Sequence, residues 1–174
     1  MNFVTVDVET ANNNVGSICQ IGLAKYIDFE LVDTYSTLIM PEGDFGFYNT
    51  RVHGLTAHDV KDSPCMDEIH DEIMDFISEG VMVSYSNFDK RSLRSCWEAH
   101  SLSDPRLRWA DALAMLRRHY PQYAKRGGSL GNICKDWGFA FSHHDALEDA
   151  KACGFVMCKM MKEHSIDIDK WAAY

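Results

Sequence analysis

Asn2-Phe3-Val4-Thr5-Val6-Asp7-Val8-Glu9-Thr10 is the stretch on which the reading of this chain turns. Met1 to Glu9 reads as a strand, because Phe3, Val4, Val6 and Val8 are aromatic or β-branched. Side chains alternate along a strand, so Asp7 and Glu9 share one face while Val6 and Val8 share the other. Two carboxylates side by side at the end of an apolar strand repel each other, and burying them without a cation is expensive. A divalent ion resolves the conflict, and an all-oxygen set suits Mg²⁺ or Mn²⁺. The plainer alternative is a solvent-facing strand end that announces a turn.

Outward from this strand the pattern continues as β. Ser17 to Tyr26 and Leu31 to Ile39 read as two more strands, joined through Asp28-Phe29-Glu30 as a hairpin. A loop is expected from Pro41 to about Pro64. Residues 66–79 repeat apolar side chains at spacings of three and four (Met66, Ile69, Ile73, Ile77) opposite an acidic face, which predicts an amphipathic helix. Val81 to Ser84 reads as a short buried strand and Asp89 to His100 as a helix. Arg108 to Asp111 reads as a strand, and Ala112 to Tyr120 as a helix stopped by Pro121. Ser129 to Trp137 predicts a helix closed by Gly138. A last helix is expected from about Asp145 to Glu163, with Ala146, Ala150, Cys153, Met157 and Met160 as its buried stripe. Three leading strands followed by alternating helices and strands predict a mixed sheet with helices on its faces.

The composition narrows the function classes. The chain has 174 residues, 46% of them hydrophobic, which suits a single domain, 1–174, with a core large enough to need no disulfide or metal staple. Eleven Gly and four Pro exclude collagen-like and low-complexity classes. No apolar run approaches the roughly 18 residues of a membrane span, and the N-terminus lacks the pattern of a signal peptide. The six cysteines form no C-x-x-C pair, so a zinc ribbon or thioredoxin-type motif is not indicated, and a reducing cytoplasm is expected. Net charge is −9, which argues against a sequence-reading DNA-binding protein. The charge is uneven, however. Residues 90–126 carry 9 basic and 3 acidic side chains, whereas residues 1–89 carry 3 and 16.

Three further stretches carry potential chemistry. Ser84-Tyr85-Ser86-Asn87-Phe88-Asp89 follows the short apolar strand, placing Asp89 near a helix N-terminus, where an ordinary N-cap is the competing reading. His143 through Ala150 opens the last helix. His144 and Asp149 are five apart and would not share a face of one continuous helix. If they share a site, His144 stands in the loop or cap before the helix and Asp149 points inward. His143 reads as a surface cap. Asn49 to Thr56 contains His53-Gly54, which either lines a pocket or turns the chain. Together these supply Asp7, Glu9, Asp89, Asp149 and His144 at the ends of strands and helices, where α/β sheets build their sites. Four carboxylates could clamp two divalent ions roughly 4 Å apart for an in-line phosphoryl displacement, and a His could take a proton from the attacking water. The constellation points to phosphodiester hydrolysis.

These motifs resemble the DEDDh group of 3′→5′ exonucleases, which includes the proofreading epsilon subunit of bacterial DNA polymerase III, ribonuclease T and oligoribonuclease. The resemblance covers nearly the whole chain. Its first motif stands as Asp7-Val8-Glu9-Thr10, its second ends in Phe88-Asp89, and its third is His144 through Asp149. Gln20-Ile21-Gly22-Leu23 resembles the family's second strand, Val52-His53-Gly54-Leu55-Thr56 its substrate loop, and Ser129-Leu130 the start of the helix before the third motif. It implies a ribonuclease-H-like α/β fold, a five-stranded mixed sheet with helices on both faces. It implies two Mg²⁺ (or Mn²⁺) ions on Asp7, Glu9, Asp89 and Asp149. His144 would be the base in a hydrolysis that releases nucleoside 5′-monophosphates. Thr10 and His53 match positions lining the terminal-nucleotide pocket. Phe88 would either pack on the terminal sugar or base or fill core beside Asp89.

Two positions depart from the family pattern. Ser84 and Tyr85 stand where His-Asn is usual, and Ala11 stands where Gly follows Thr. The resemblance also implies single-stranded DNA 3′ ends as partner, with RNA as the alternative that sensing of the 2′-hydroxyl would decide; the lack of a long apolar run leads to no membrane association being expected. A homodimer is compatible with it. A stable polymerase association is not expected, because the chain ends soon after the third motif. The basic residues Lys90, Arg91, Arg94, Arg117, Arg118, Lys125 and Arg126 are candidates to follow the phosphate backbone. Trp109, Tyr120 and Tyr123 lie among them and would either stack on bases or fill core. The competing class is a nucleic-acid-binding module without catalysis, whose signature would be loss of one of the five active residues; all five are present.

Overall fold

The computed structural model describes residues 2–77, 80–126 and 128–173, with the side chains of Lys125 and Arg126 also outside the description. The opening strand β1 spans Asn2–Thr10, β2 Ile18–Ile27 and β3 Glu30–Leu38. Asp28 and Phe29 both adopt positive φ, 49° and 72°, the two-residue geometry that matches the twist of a hairpin. After them come β4, Val81–Ser84, and β5, Trp109–Asp111. The sheet order is β3-β2-β1-β4-β5. β1 pairs antiparallel with β2 and parallel with β4, and β4 pairs parallel with β5. This is the expected five-stranded mixed sheet.

The alternation in β1 sorts the core into two layers. Val4, Val6 and Val8 pack with Ile69 and Ile73 of α3 (Met66–Ile77) and with Leu93 and Trp97 of α4 (Asn87–Ala99). Phe3 faces the other way, stacked on Tyr26 at 5.0 Å. That second layer is closed by α5 (Ala112–His119), α7 (Leu130–Trp137) and α8 (Ala146–His164). Residues 78 and 79, expected to end the α3 helix, lie outside the described residues, as do Met1 and the Lys125 and Arg126 side chains.

Short helices stand in the segment read as loop and in two segments to which no element was assigned. The stretch from Pro41 to Pro64 holds α1, Phe47–His53, and α2, Ala57–Val60. Pro121–Arg126 forms α6 and Ile168–Trp171 forms α9. One or two turns carry too little apolar periodicity to be seen in sequence. In α2 the signal was a capping box, since Thr56 and Asp59 bond each other's backbone amides.

Two close approaches set α8 on the sheet. A Cβ on Gly22 of β2 would lie 2.3 Å from backbone atoms of Ala146 and Leu147, and one on Gly154 would lie 2.2 Å from the Tyr26 ring. The Thr5 hydroxyl donates to the Ala150 carbonyl at 2.8 Å, and the Gln20 amide oxygen accepts from Ala146 N–H at 3.3 Å. The start of α8 is thereby held over the ends of β1 and β2.

Candidate active site

At the end of β1 the pairing with β4 has already stopped at Val6↔Ser84. The Val8 amide therefore lies beyond the ladder, and Asp89 of α4 accepts from it through Oδ1 at 3.2 Å. Asp89 is the third residue of α4, and the N-cap role falls to Ser86, whose side chain accepts from Phe88 N–H. The capping reading of Asp89 is thus replaced by a tie to the neighbouring strand. Asp149 stands in the first turn of α8, capped by Asp145, and points into the same cleft. That cleft, about 440 Å³, is lined by Asp7, Glu9, Asp89, Asp149, His143 and His144, with Tyr85, Phe88, Leu113 and Leu130 among its walls.

Oxygen atoms of Asp7, Glu9 and Asp149 lie within 4.8 Å of one another. Burial first, then the charges of Asp89, Asp149 and Glu9, push the Asp7 carboxyl far above its usual range. Burial, followed by Asp149 and Asp89, raises Glu9 to about 7. Burial raises Asp89 to about 7 against the pull of the Val8 amide. Asp149 is raised by burial, opposed by His143. Four acids that depress one another's ionisation form a cradle for positive charge, and an all-carboxylate set fits hard divalent ions. The first turns of α4, α7 and α8 line this cleft through Asp89, Leu130 and Asp149, and their end amides are capped by Ser86, Ser129 and Asp145.

His144 takes the position that the spacing argument demanded. It lies before α8 with φ of 70°, and its backbone amide donates to Asp149 Oδ2 at 2.6 Å. Burial and the neighbouring His143 lower its pKa. The expectation that His143 is a surface cap is corrected. Its Nδ1 lies 2.7 Å from Asp149 Oδ1, and its ring stacks on His144 at 4.0 Å. Sequence reasoning missed this contact because His143 and Asp149 are six apart across a loop-to-helix boundary, where no periodicity applies.

A smaller pocket of about 260 Å³ adjoins the cleft, sharing Glu9 and Phe88 with it and lined by Thr10, Tyr48, Asn49, Val52 and His53. His53 accepts Leu55 N–H at Nδ1 (3.0 Å), leaving Nε2–H to donate to the Thr10 carbonyl at 3.2 Å. Burial lowers the His53 pKa, which keeps this neutral tautomer. The Asn49 amide donates to the Thr10 carbonyl at 2.9 Å, fixing α1 against the end of β1. Phe88 is 41% exposed, so it does not fill core. Asn49 and Tyr48 were not singled out from sequence, since both lay in the stretch read as loop.

The family departures acquire structural roles. Tyr85 donates to the Gly128 carbonyl at 2.6 Å and its own carbonyl accepts from Leu113 N–H, so it ties β4 to α5 and to the start of α7. Ala11 is buried with Cys19 and Val60. Of the aromatics in the basic segment, Trp109 is buried beneath Lys90, and Tyr120 and Tyr123 pack against Trp137. All three serve the core. Arg94 pairs with Asp104, Arg108 with Asp169, and Arg118 lies over Trp171.

An acidic cleft on a five-stranded mixed sheet, open beside a pocket, is the arrangement of a metal-using hydrolase. Residues 4–156 match the RNase T family model, described as Exonuclease, and the chain belongs to that exonuclease family, a family of nucleases. Such exonucleases use divalent metal ions, and the acidic groups of the cleft fit that use. The chain is similar to the DNA polymerase III PolC-type proteins of Thermotoga petrophila (29% identity, 94% of this chain, 12% of that protein) and Clostridium perfringens (28%, 92% and 11%). It thus spans about an eighth of the length of these relatives. Because they are polymerases, the similarity gives no support to the expectation that a stable polymerase association is absent.

In fold the chain is similar to Exonuclease X in complex with 5′ overhanging duplex DNA (TM-score 0.79, 21% identity, 98% of this chain and 97% of that one). It is also similar to the nuclease domain of 3′hExo, a DEDDh family member, bound to rAMP (0.76, 15%, 93% and 92%). No helix among the described residues is long and apolar enough to cross a membrane.

Proposed function

We propose that residues 1–174 form one exonuclease domain that hydrolyses phosphodiester bonds from the 3′ end of single-stranded or frayed DNA and releases nucleoside 5′-monophosphates. The observation that carries this reading is the convergence of Asp7, Glu9, Asp89, Asp149 and His144, from three separated segments, on one cleft beside a pocket of nucleotide scale. Asp7, Glu9, Asp89 and Asp149 would hold two Mg²⁺ or Mn²⁺ ions, which supply charge neutralisation for the attacking and leaving oxygens.

The chain's own groups do the rest. Thr10 and His53 line the side pocket and receive the terminal nucleotide, with Phe88 packing against its sugar or base. His144, with its lowered pKa, is neutral near pH 7 and accepts the proton of the attacking water. The backbone of His144 fixes Asp149 through one carboxylate oxygen.

DNA is preferred as substrate because the relatives are DNA polymerases and Exonuclease X is bound to DNA. The neighbour bound to rAMP keeps an exoribonuclease as the second reading. Six free cysteines, five of them buried, suit a reducing cytoplasm. The test is incubation with 5′-labelled single-stranded DNA and RNA of matched sequence, in Mg²⁺, Mn²⁺ or chelator. A metal-dependent ladder shortening from the 3′ end is expected, faster on DNA. Intact substrate in every metal would overturn the reading.

A further inference from the structure

The cleft holds a second, overlapping donor set, completed by His143, to which the hydrolytic reading gives no role. His143, His144 and Asp149 offer ligand atoms that all lie within 4.8 Å of one another. The two rings stack at 4.0 Å with an interplanar angle of 19°, so both imidazole edges are presented beside one carboxylate. His143 Nδ1 is 2.7 Å from Asp149 Oδ1. This is a hydrogen bond whose proton an incoming ion would displace; adjacent ligands of a tetrahedral ion bound at about 2.0–2.2 Å lie roughly 3.4 Å apart, so a shift of less than about 1 Å converts the pair to two ligands. Asp149 is buried and held from the other side by the His144 amide, so the carboxylate is fixed. Both histidines remain exposed to solvent, so an ion from solution can reach them.

Ligand chemistry separates this set from its neighbour. Asp7, Glu9, Asp89 and Asp149 give oxygen alone, which suits Mg²⁺. Two imidazoles and one carboxylate suit Zn²⁺ and similar ions, which magnesium does not match in affinity for nitrogen. The two sets share Asp149, so one ion's gain is the other's loss.

We propose that His143, His144 and Asp149 bind a nitrogen-preferring divalent transition-metal ion of the Zn²⁺ class, and that its occupation inhibits hydrolysis. The ion takes Asp149 from the carboxylate set and the ring nitrogen of His144 from its work as base. The inhibitory half of this proposal rests on the hydrolytic reading above; the binding half does not.

The experiment uses the metal-stripped protein in a Cys65→Ser background, which removes the part-exposed thiol as a competing ligand. Co²⁺ is titrated by its visible absorption and Zn²⁺ by competition with it. One saturable ion is expected. His143→Phe, which keeps a ring on His144, should weaken Zn²⁺ binding at least about tenfold while Mg²⁺ still raises the melting temperature. His143→Asn, which keeps a donor for Asp149, serves if the Phe variant does not fold. Asp7→Asn should abolish the Mg²⁺ effect and leave the Co²⁺ spectrum. Wild-type Zn²⁺ affinity in the His143 variants, or an equal loss in Asp7→Asn, would overturn the site. In the Mg²⁺-supported ladder assay, Zn²⁺ should inhibit the wild type, with at least about tenfold more needed for His143→Phe. An absent ladder with Mg²⁺ alone would refute the hydrolytic reading, and the Co²⁺ spectrum would still decide the site.

Discussion

Glu9→Gln should make the metal-free protein more stable at pH 8 and make its stability less dependent on pH. Glu9 is held at about 7 by burial first, then by Asp149 and Asp89. A carboxyl whose folded value is about 7 and whose ordinary value is 4.5 carries an ionisation penalty of about 3 kcal/mol above both values. The sign follows from proton uptake. The folded state binds more protons than the unfolded one between about 4.5 and 7, so stability falls as pH rises through that window. The penalty is absent below about 4.5 and complete above about 7. Gln removes the charge but leaves an amide in a partly buried place, at a cost of about 1 kcal/mol. The net gain at pH 8 is therefore about 2 kcal/mol, or roughly 4–8 °C for a chain of this size. At pH 4 the variant should be equal to the wild type or slightly less stable.

Thermal unfolding in chelator at pH 4 and pH 8 reads the difference. With Mg²⁺ added at pH 8 the order should reverse, because the wild type keeps its full ligand set and gains stability by mass action. A variant that loses stability equally at both pH values would refute the argument that like-charge burial dominates this cleft.

Other outcomes follow from the same geometry. His144→Ala should slow hydrolysis by roughly 10²–10⁴-fold while keeping the Mg²⁺-induced rise in melting temperature; turnover at the wild-type rate would remove its role as base. Gly22→Ala places a Cβ 2.3 Å from the α8 backbone, so it should cost about 1–3 kcal/mol and lower activity, because Asp149 moves with α8; unchanged melting and turnover would contradict that positioning. Tyr85→Phe loses the 2.6 Å bond to Gly128 and should cost about 1–2 kcal/mol in denaturant unfolding, with m unchanged.

Much of the site was legible in sequence, for local reasons. A strand's period of two put Asp7 and Glu9 on one face without reference to any partner. A helix's period of 3.6 showed that His144 and Asp149 could meet only if the helix began between them, and Asp145 caps it there. The fate of Asp89 was not legible. Its N-cap reading was reasonable, and it was displaced because Ser86 already serves α4 and the Val8 amide stands unpaired where β4 runs out. Phe88 was left between two roles, and only its exposure at the junction of cleft and side pocket removes the core-filling one.

What the sequence alone determined is therefore the five strands and the longer helices, the shared face of Asp7 and Glu9, and a set of five candidate residues for the chemistry. Those properties follow from backbone periodicity, capping and residue type, which act over a few positions. Tertiary structure alone decided that His143 reaches Asp149, that Asn49 and His53 both close on Thr10, and that the aromatics among the basic residues belong to the core. Each depends on how closely α8, α1 and α6 approach their neighbours. That distance is set by packing between segments far apart in the chain, as at Gly22 against Ala146 and Gly154 against Tyr26, where the absence of a side chain lets two backbones or a ring come together.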